Sequence, residues 1–363
     1  MINSSRPGSP QSIAGVLDTG IEVRFSHPGE ADACDRFVQQ SGAGTFFHLS
    51  AWRAVVREVL GHESFCLVAS RNREITGVFP VCRVRNRLFG DCLVSLPLAV
   101  YGGICADDRE SYLALLNAAN DWAQGQNVNY LEMRNLAEPF PISLPRKDLY
   151  VTFTQDLTPG PDKLLQALPR DTRYMIRKSL KAGLDWTEDL SLNEFYQIYS
   201  RSVHHLGTPV FSKKLFSALK REFPQQCRIF GVRRGRQAIA GVMCFYFRDQ
   251  VLPYYGGALS EFNRDAPNNF MYWKLIEQSC REGYRVFDFG RSKRGSGSFQ
   301  FKSGWSMKVV DLPYRYQLVR AREIPHLSAA DQKFSAPIAV WKRLPFSWTK
   351  VLGPQLIRWI PSI

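Results

Sequence analysis

The sequence has no run of about 18 apolar residues, the length a membrane-crossing helix needs. Its first twenty residues, "MINSSRPGSPQSIAGVLDTG", hold no apolar core of the kind a secretory leader carries. Together these absences predict a protein that stays in the cytoplasm. There is no Cys-x-x-Cys pair, and the 8 cysteines stand singly in apolar settings such as "ESFCLVAS", "FPVCRV" and "GVMCFYF". That pattern excludes a secreted disulfide framework and fits buried free thiols in a reducing compartment. No group of Cys and His has ligand spacing, so no metal site is expected. Acid is also scarce: 33 acidic residues face 47 basic ones, and none follows Asp331. The resulting net charge of +14 points to an anionic partner: a phosphorylated substrate, a nucleic acid or a membrane surface.

What is present is ample apolar mass. Hydrophobic residues make up 45% of the 363, with 24 Phe, 14 Tyr and 8 Trp, which excludes a disordered chain and allows two packed domains.

Two stretches follow one plan. The first runs "FCLVASRNREITGVFPVCRVRN" and then "LPLAVYGGICADDRESYLALLNAANDWAQGQNVNYLEMRN". The second runs "CRIFGVRRGRQAIAGVMCFYFRDQ" and then "VLPYYGGALSEFNRDAPNNFMYWKLIEQSCREGYRVFDFGRS". Each reads as a hairpin, an apolar strand ending in Tyr-Gly-Gly, an amphipathic helix and a closing strand. The helix of the first copy is marked by Tyr112, Leu115, Leu116 and Ala119. From the second glycine to the acid of the closing strand there are 29 residues in one copy (Gly103 to Glu132) and 31 in the other (Gly257 to Asp288). A duplicated β-β-β-α-β unit predicts an α/β chain of the α+β type, with mixed sheets and helices on their faces. The expected organisation is a flexible terminus over residues 1–20, a first domain over 21–150, a second over 151–320 and a tail over 321–363.

Between the copies, "LPRDTRYMIRKSLKAGL" (168–184) carries five basic residues against one acid. Arg173, Arg177 and Lys181 are spaced by four, so they stack along one helical face. With Tyr174 they are candidate walls of an anion-binding cleft. A second cationic stretch, "FDFGRSKRGSGSFQFKSGW" (287–305), begins like a buried strand and has no acid after Asp288. It reads as a flexible loop presenting Arg291, Lys293, Arg294 and Lys302, and the two cationic segments are expected to share one cleft.

These segments, with "HHLGTPVFSKKLF" and the Tyr-Tyr-Gly-Gly stretch, resemble the Fem-type transferases, and more narrowly the FemAB-like proteins that accompany exosortase-linked exopolysaccharide loci. The resemblance covers roughly residues 20 to 320. It implies two tandem GNAT-like acyltransferase domains. Fem transferases move an aminoacyl group from charged tRNA to a peptide amine of a wall precursor, while related GNAT proteins use acyl-CoA. Either donor is therefore implied, with no tightly bound cofactor. The acceptor would be an anionic small molecule or a lipid-linked saccharide or peptide precursor. The Phe-Lys pair of the Fem motif falls on Phe301 and Lys302, which implies that Lys302 lies near the reacting acyl group, with Phe301 and Trp305 beside the substrate. The sequence holds no long charged insertion like the helical arm many Fem enzymes use for tRNA, and "EFNRDAPNNF" lacks the glycines of the acyl-CoA loop.

Acyl transfer needs a polarised carbonyl and a deprotonated acceptor. An ammonium such as Lys302 can stabilise the oxyanion in a dry cleft. For the base, Asp288 ends a strand beside the cations, although a salt bridge to Arg291 is an equal expectation, and His205 has a suitable intrinsic pKa. Tyr254 and Tyr255 alternate on their strand, so only one, such as Tyr255, would face a ligand. The stretch after Asp331 carries five basic residues with Trp341, Trp348 and Trp359, and Pro345 and Pro354 cut it into short pieces. Basic, aromatic segments suit the surface of an anionic membrane, as peripheral contact. The rival to an enzyme is a non-catalytic basic binding protein for RNA or membrane.

Overall fold

The computed structural model describes residues 15–16, 20–86, 90–325 and 340–358. Residues 1–14 and 17–19 of the expected N-terminal segment lie outside the described residues, as does Trp359.

Two mixed sheets carry the chain. The first runs β1 (Gly15–Val16), β2 (Ile21–Phe25), β3 (Glu63–Arg71), β4 (Glu74–Asn86), β5 (Gly90–Val94), β7 (Tyr130–Arg134), β17 (Tyr314–Leu318) and β8 (Arg146–Lys147), with β6 (Cys105–Ala106) beside β4. The second runs β10 (Asp185–Thr187), β11 (Cys227–Arg234), β12 (Gln237–Phe247), β13 (Gln250–Ala258), β14 (Val286–Asp288), β9 (Tyr150–Asp156) and β15 (Ser292–Lys293), with β16 (Lys308–Asp311) also on β9. Hairpins β3–β4 and β11–β12 close where the polar turns predict. Asn72 and Arg73 take φ of 53° and 72°, the twist that a two-residue hairpin turn demands.

In each sheet the third hairpin strand and the closing strand pair in parallel, β5 with β7 and β13 with β14. The crossover between them is the amphipathic helix: α3 (Arg109–Gly125) in one and α8 (Pro267–Arg281) in the other. Helix α3 starts at Asp108, whose carboxylate accepts from the Ser111 amide at 2.7 Å, and buries Tyr112, Leu115, Leu116 and Ala119 on one face.

The sheets exchange one strand each. β9 follows the first unit but pairs antiparallel with β14 of the second. β17 follows the second unit but pairs antiparallel with β7 of the first. Among the described residues the apolar core falls into three clusters, one under α3, one under α8, and a large one shared by both sheets. The shared cluster takes in α1 (Ala31–Gln40), α2 (Ser50–Leu60), α6 (Leu192–Leu206) and α7 (Lys213–Glu222).

The first Tyr-Gly-Gly does not end a strand as expected. β5 stops at Val94, and Tyr101 to Gly103 lie in irregular backbone after it. A side chain at Gly103 would place its Cβ 1.9 Å from Asn135 Oδ1, so close approach explains that glycine. The second copy lies within β13. In the tail, Pro354 does not cut the helix but lies inside α10 (Phe346–Ile357).

Candidate active site

The parallel pairing of β13 with β14 ends at Val251 and Phe287, after which the strands diverge. A cavity of about 300 Å³ opens in that divergence, lined by Leu98, Val100, Phe211, Pro253, Tyr254, Tyr255, Gly256, Tyr272, Phe289, Gly290, Arg291 and Lys302. Both tyrosines face it, against the expectation of one. The register slips at this point, with Met243 opposite Tyr255 and Cys244 opposite Pro253, so Tyr254 is an extra residue and breaks the alternation. Tyr254 donates to the Leu98 carbonyl at 2.6 Å, across to the first unit. The Tyr255 hydroxyl is buried with no hydrogen-bond partner among the described residues.

The stretch after β14 is an ordered turn and helix, not a flexible loop. Phe289 bonds back to Phe153 of β9, then Gly290 takes φ of 77° and the chain turns outward before re-pairing as β15. That left-handed position needs glycine. Ser296 caps α9 (Gly297–Ser303), accepting from the Phe299 amide at 3.2 Å. Lys302 lies in the last turn of α9. Its ammonium donates to the Gly290 carbonyl at 2.8 Å and the Arg291 carbonyl at 3.3 Å, and stands 5.2 Å from the Phe289 ring centroid. Burial pushes its pKa down to about 8, with the Asp288 charge opposing and Arg291 adding to the shift.

Arg291 stacks over Tyr150, 4.7 Å from the ring centroid, and donates to the Tyr314 hydroxyl at 3.2 Å. It makes no ion pair among the described residues, so the expected bridge to Asp288 is absent. Asp288 is buried and accepts from neutral donors instead: the Tyr101 hydroxyl, Thr152 Oγ1 at 2.5 Å and the Gly290 amide at 2.9 Å. Tyr101 comes from the first unit, and burial and then the Asp288 charge hold its phenol well above the ordinary range, so it stays a donor.

Other expected site residues lie elsewhere. Phe301 and Trp305 pack with Tyr272 and Phe289 behind the cavity, and Trp305 is fully buried. Arg294 faces outward and pairs with Asp311, while Lys293 lies in β15 against Tyr150 of β9. The basic helix α5 (Arg170–Leu180) touches this region through Thr172, which donates to the Gly304 carbonyl at 2.5 Å. Yet Arg173, Tyr174, Arg177 and Lys181 are not among the cavity-lining residues. Tyr174 is 64% exposed, and Arg173 bonds the Gln166 carbonyl at 2.9 Å. His205 lines a separate depression of about 500 Å³ with Arg201, His204, Ser260, Lys342 and Phe346. Among the described residues no cluster of His, Cys, Asp or Glu could hold a metal ion.

Residues that the sequence reading missed are Tyr101, Thr152, Tyr272 and Phe289. Only Tyr101 carried a signal, as part of the repeated Tyr-Gly-Gly.

Residues 169–303 match the family described as an acetyltransferase (GNAT) domain, a span that includes Lys302. The fold is similar to that of FemX, with a TM-score of 0.65 at 14% identity over 82% of this chain and 97% of that one. It is also similar to L-PGS from Bacillus licheniformis (TM-score 0.52, 13% identity, 88% and 97% covered). A tandem GNAT protein from the clavulanic acid biosynthesis pathway matches at 0.51, with 11% identity and 84% and 100% covered. None of the curated proteins matches the sequence. Residues 169–303, which supply most of the cavity lining, thus match a GNAT acetyltransferase domain, and the two mixed sheets share the fold of tandem GNAT proteins.

Proposed function

We propose that the cavity between β13 and β14 is where an acyl or aminoacyl group passes from donor to acceptor, with Lys302 polarising the donor carbonyl. The supporting observation is the half-buried ammonium itself. Two of its three N–H groups are directed at the Gly290 and Arg291 carbonyls, which leaves one for a ligand. At neutral pH a group titrating near 8 is mostly protonated. As the acceptor's nitrogen or oxygen attacks the carbonyl carbon, charge builds on the carbonyl oxygen, and that N–H can bond it. The bond to the donor's sulfur or ribose oxygen then breaks, and the proton lost by the acceptor passes to that leaving atom. Such a donor in a sheltered site contributes about 10²–10³ in rate. Arg291, with no carboxylate partner, would hold an anionic part of donor or acceptor. Asp288 is better suited to anchoring the strand end than to taking a proton, because both its oxygens already accept hydrogen bonds.

The donor would be acyl-CoA or aminoacyl-tRNA. The acceptor would be an envelope or exopolysaccharide precursor, lipid-linked saccharide or peptide, consistent with the resemblance to exosortase-associated FemAB-like proteins. A lipid-linked acceptor would place the enzyme peripherally at the inner membrane face.

The test is mass spectrometry of a precursor extract incubated with the protein and each donor in turn. The proposal expects one new acylated product, lost with Lys302→Met. Equal product from wild type and variant would remove Lys302 from the chemistry. Tight RNA or vesicle binding with no product from either donor would favour a non-catalytic binding protein.

A further inference from the structure

Helix α10 has two different faces. Thr349, Gly353 and Ile357, spaced by four, are buried against the shared core. Trp348, Val351, Leu352 and Leu356 fall on the other side and are open to water, with Trp348 60% and Val351 68% exposed. Of nine large apolar side chains exposed among the described residues, five lie within 340–358, so this is a patch rather than scatter. Exposing an apolar face costs free energy unless something covers it. Trp341, by contrast, is buried and donates to the Thr208 carbonyl at 3.2 Å, so it anchors the segment to the body.

Phe346, the first residue of α10, also lines the depression formed by Arg201, His204, His205, Ser260 and Lys342. No carboxylate lines that depression, and neither Arg201 nor Lys342 has an ion pair among the described residues. Lys350 of α10 lies close by, donating to Gln197 of α6 at 3.0 Å, with the Arg201 charge near enough to lower its pKa further after burial. A surface that sets an uncovered apolar helix face beside uncompensated cations is complementary to one environment in particular. That environment is the headgroup region of an anionic bilayer, where chains meet the apolar side chains and phosphates meet the cations.

We infer that α10 and the Arg201–Lys342 depression form a docking surface for anionic phospholipid. In this arrangement Trp348, Val351, Leu352 and Leu356 enter the headgroup–chain boundary and the depression takes a lipid phosphate. This deepens the membrane placement proposed above and is independent of the Lys302 chemistry. Among the described residues no helix is long and apolar enough to cross the bilayer, so the contact is with one leaflet.

The experiment is sedimentation of the full chain with vesicles of phosphatidylcholine alone or with 30% phosphatidylglycerol, at low and high salt. Binding is expected only with the anionic lipid and is expected to weaken at least tenfold at high salt. Val351→Asp with Leu352→Asp, and separately Arg201→Ala with Lys342→Ala, should each reduce vesicle affinity about tenfold or more. All four positions are exposed, so circular dichroism and thermal midpoint should stay at wild-type values. Equal binding by wild type and both double variants overturns the assignment. So does binding of tRNA, but not of vesicles, that is lost on Arg201→Ala with Lys342→Ala. Transfer to a water-soluble acceptor should be unchanged in Val351→Asp with Leu352→Asp. Loss of vesicle binding with transfer intact thus separates this inference from the catalytic one.

Discussion

Each unit carries an acid in the strand after its crossover helix, Glu132 midway along β7 and Asp288 at the end of β14, and the two are used in opposite ways. In the first, Glu132 sits beside Arg134, 2.7 Å away, and the Arg134 side chain is fully buried. Its guanidinium donates to the Leu96 and Ala99 carbonyls at 3.0 and 2.9 Å, filling the space where β5 and β7 part. In the second, Asp288 is occupied by two hydroxyls and an amide. The cations there, Lys302 and Arg291, make no ion pair among the described residues and line an open cavity. The first unit satisfies its buried charge internally, and the second turns its cations to a cavity, where the proposed function has them meet a ligand. A duplicated fold can thus keep one copy as scaffold and the other as site.

Breaking the plug should have the largest effect. Arg134→Ala strips Glu132 of its counter-charge and leaves two buried carbonyls unpartnered, and should lower unfolding free energy in urea by about 3–5 kcal/mol. The matching change in the second unit, Lys302→Met, should do the reverse: transfer falls about 10²–10³-fold while stability at neutral pH rises. The stability gain follows from the sign of the pKa shift. Lys302 is depressed from 10.5 to about 8, so the unfolded chain binds the extra proton more readily. The cost is therefore present below pH 8 and relieved as pH rises toward 10.5. Lys302→Met should remove it but also takes the donor from the Gly290 and Arg291 carbonyls, so the net gain at pH 7 should stay below about 1 kcal/mol. The difference between wild type and Lys302→Met should shrink between pH 8 and 10.5, measured by urea unfolding across that range.

Smaller effects should come from the ties between units. Tyr101→Phe removes one donor from a buried carboxylate that keeps Thr152 and Gly290, and should cost about 1.5–3 kcal/mol in thermal or urea unfolding. Tyr254→Phe removes a neutral bond to the Leu98 carbonyl and should cost about 0.5–1.5 kcal/mol.

The order of elements in each unit was legible in the sequence because hairpin turns and helical stripes are local signals. Asn72-Arg73 and the Tyr112–Ala119 face needed no distant partner to be read. The exchange of β9 and β17 was not legible, because β17 pairs with residues some 180 positions earlier and no local pattern records that. At the cavity, the position of Lys302 was legible from the Phe-Lys pair that resembles the Fem motif. Its setting was not. Glycine and serine between 290 and 304 read as a loop, yet Ser296 caps a short helix there and Phe301 and Trp305 bind it to the core. The bulge at Tyr254 turned a one-tyrosine expectation into two, since alternation holds only where register does. His205 and the α5 cations share the composition of a site but not its location, because net charge does not specify which surfaces meet.

The central claim is that Lys302 acts as a cation in the second unit's cavity, and the pH dependence of kcat/KM for transfer tests it most directly. Wild type should lose activity as pH rises through about 8, the point where the ammonium gives up its proton. Lys302→Arg, slower but charged throughout, should show no such falling limb. A limb near pH 8 that persists in Lys302→Arg, or a wild-type profile flat through that range, would contradict the account.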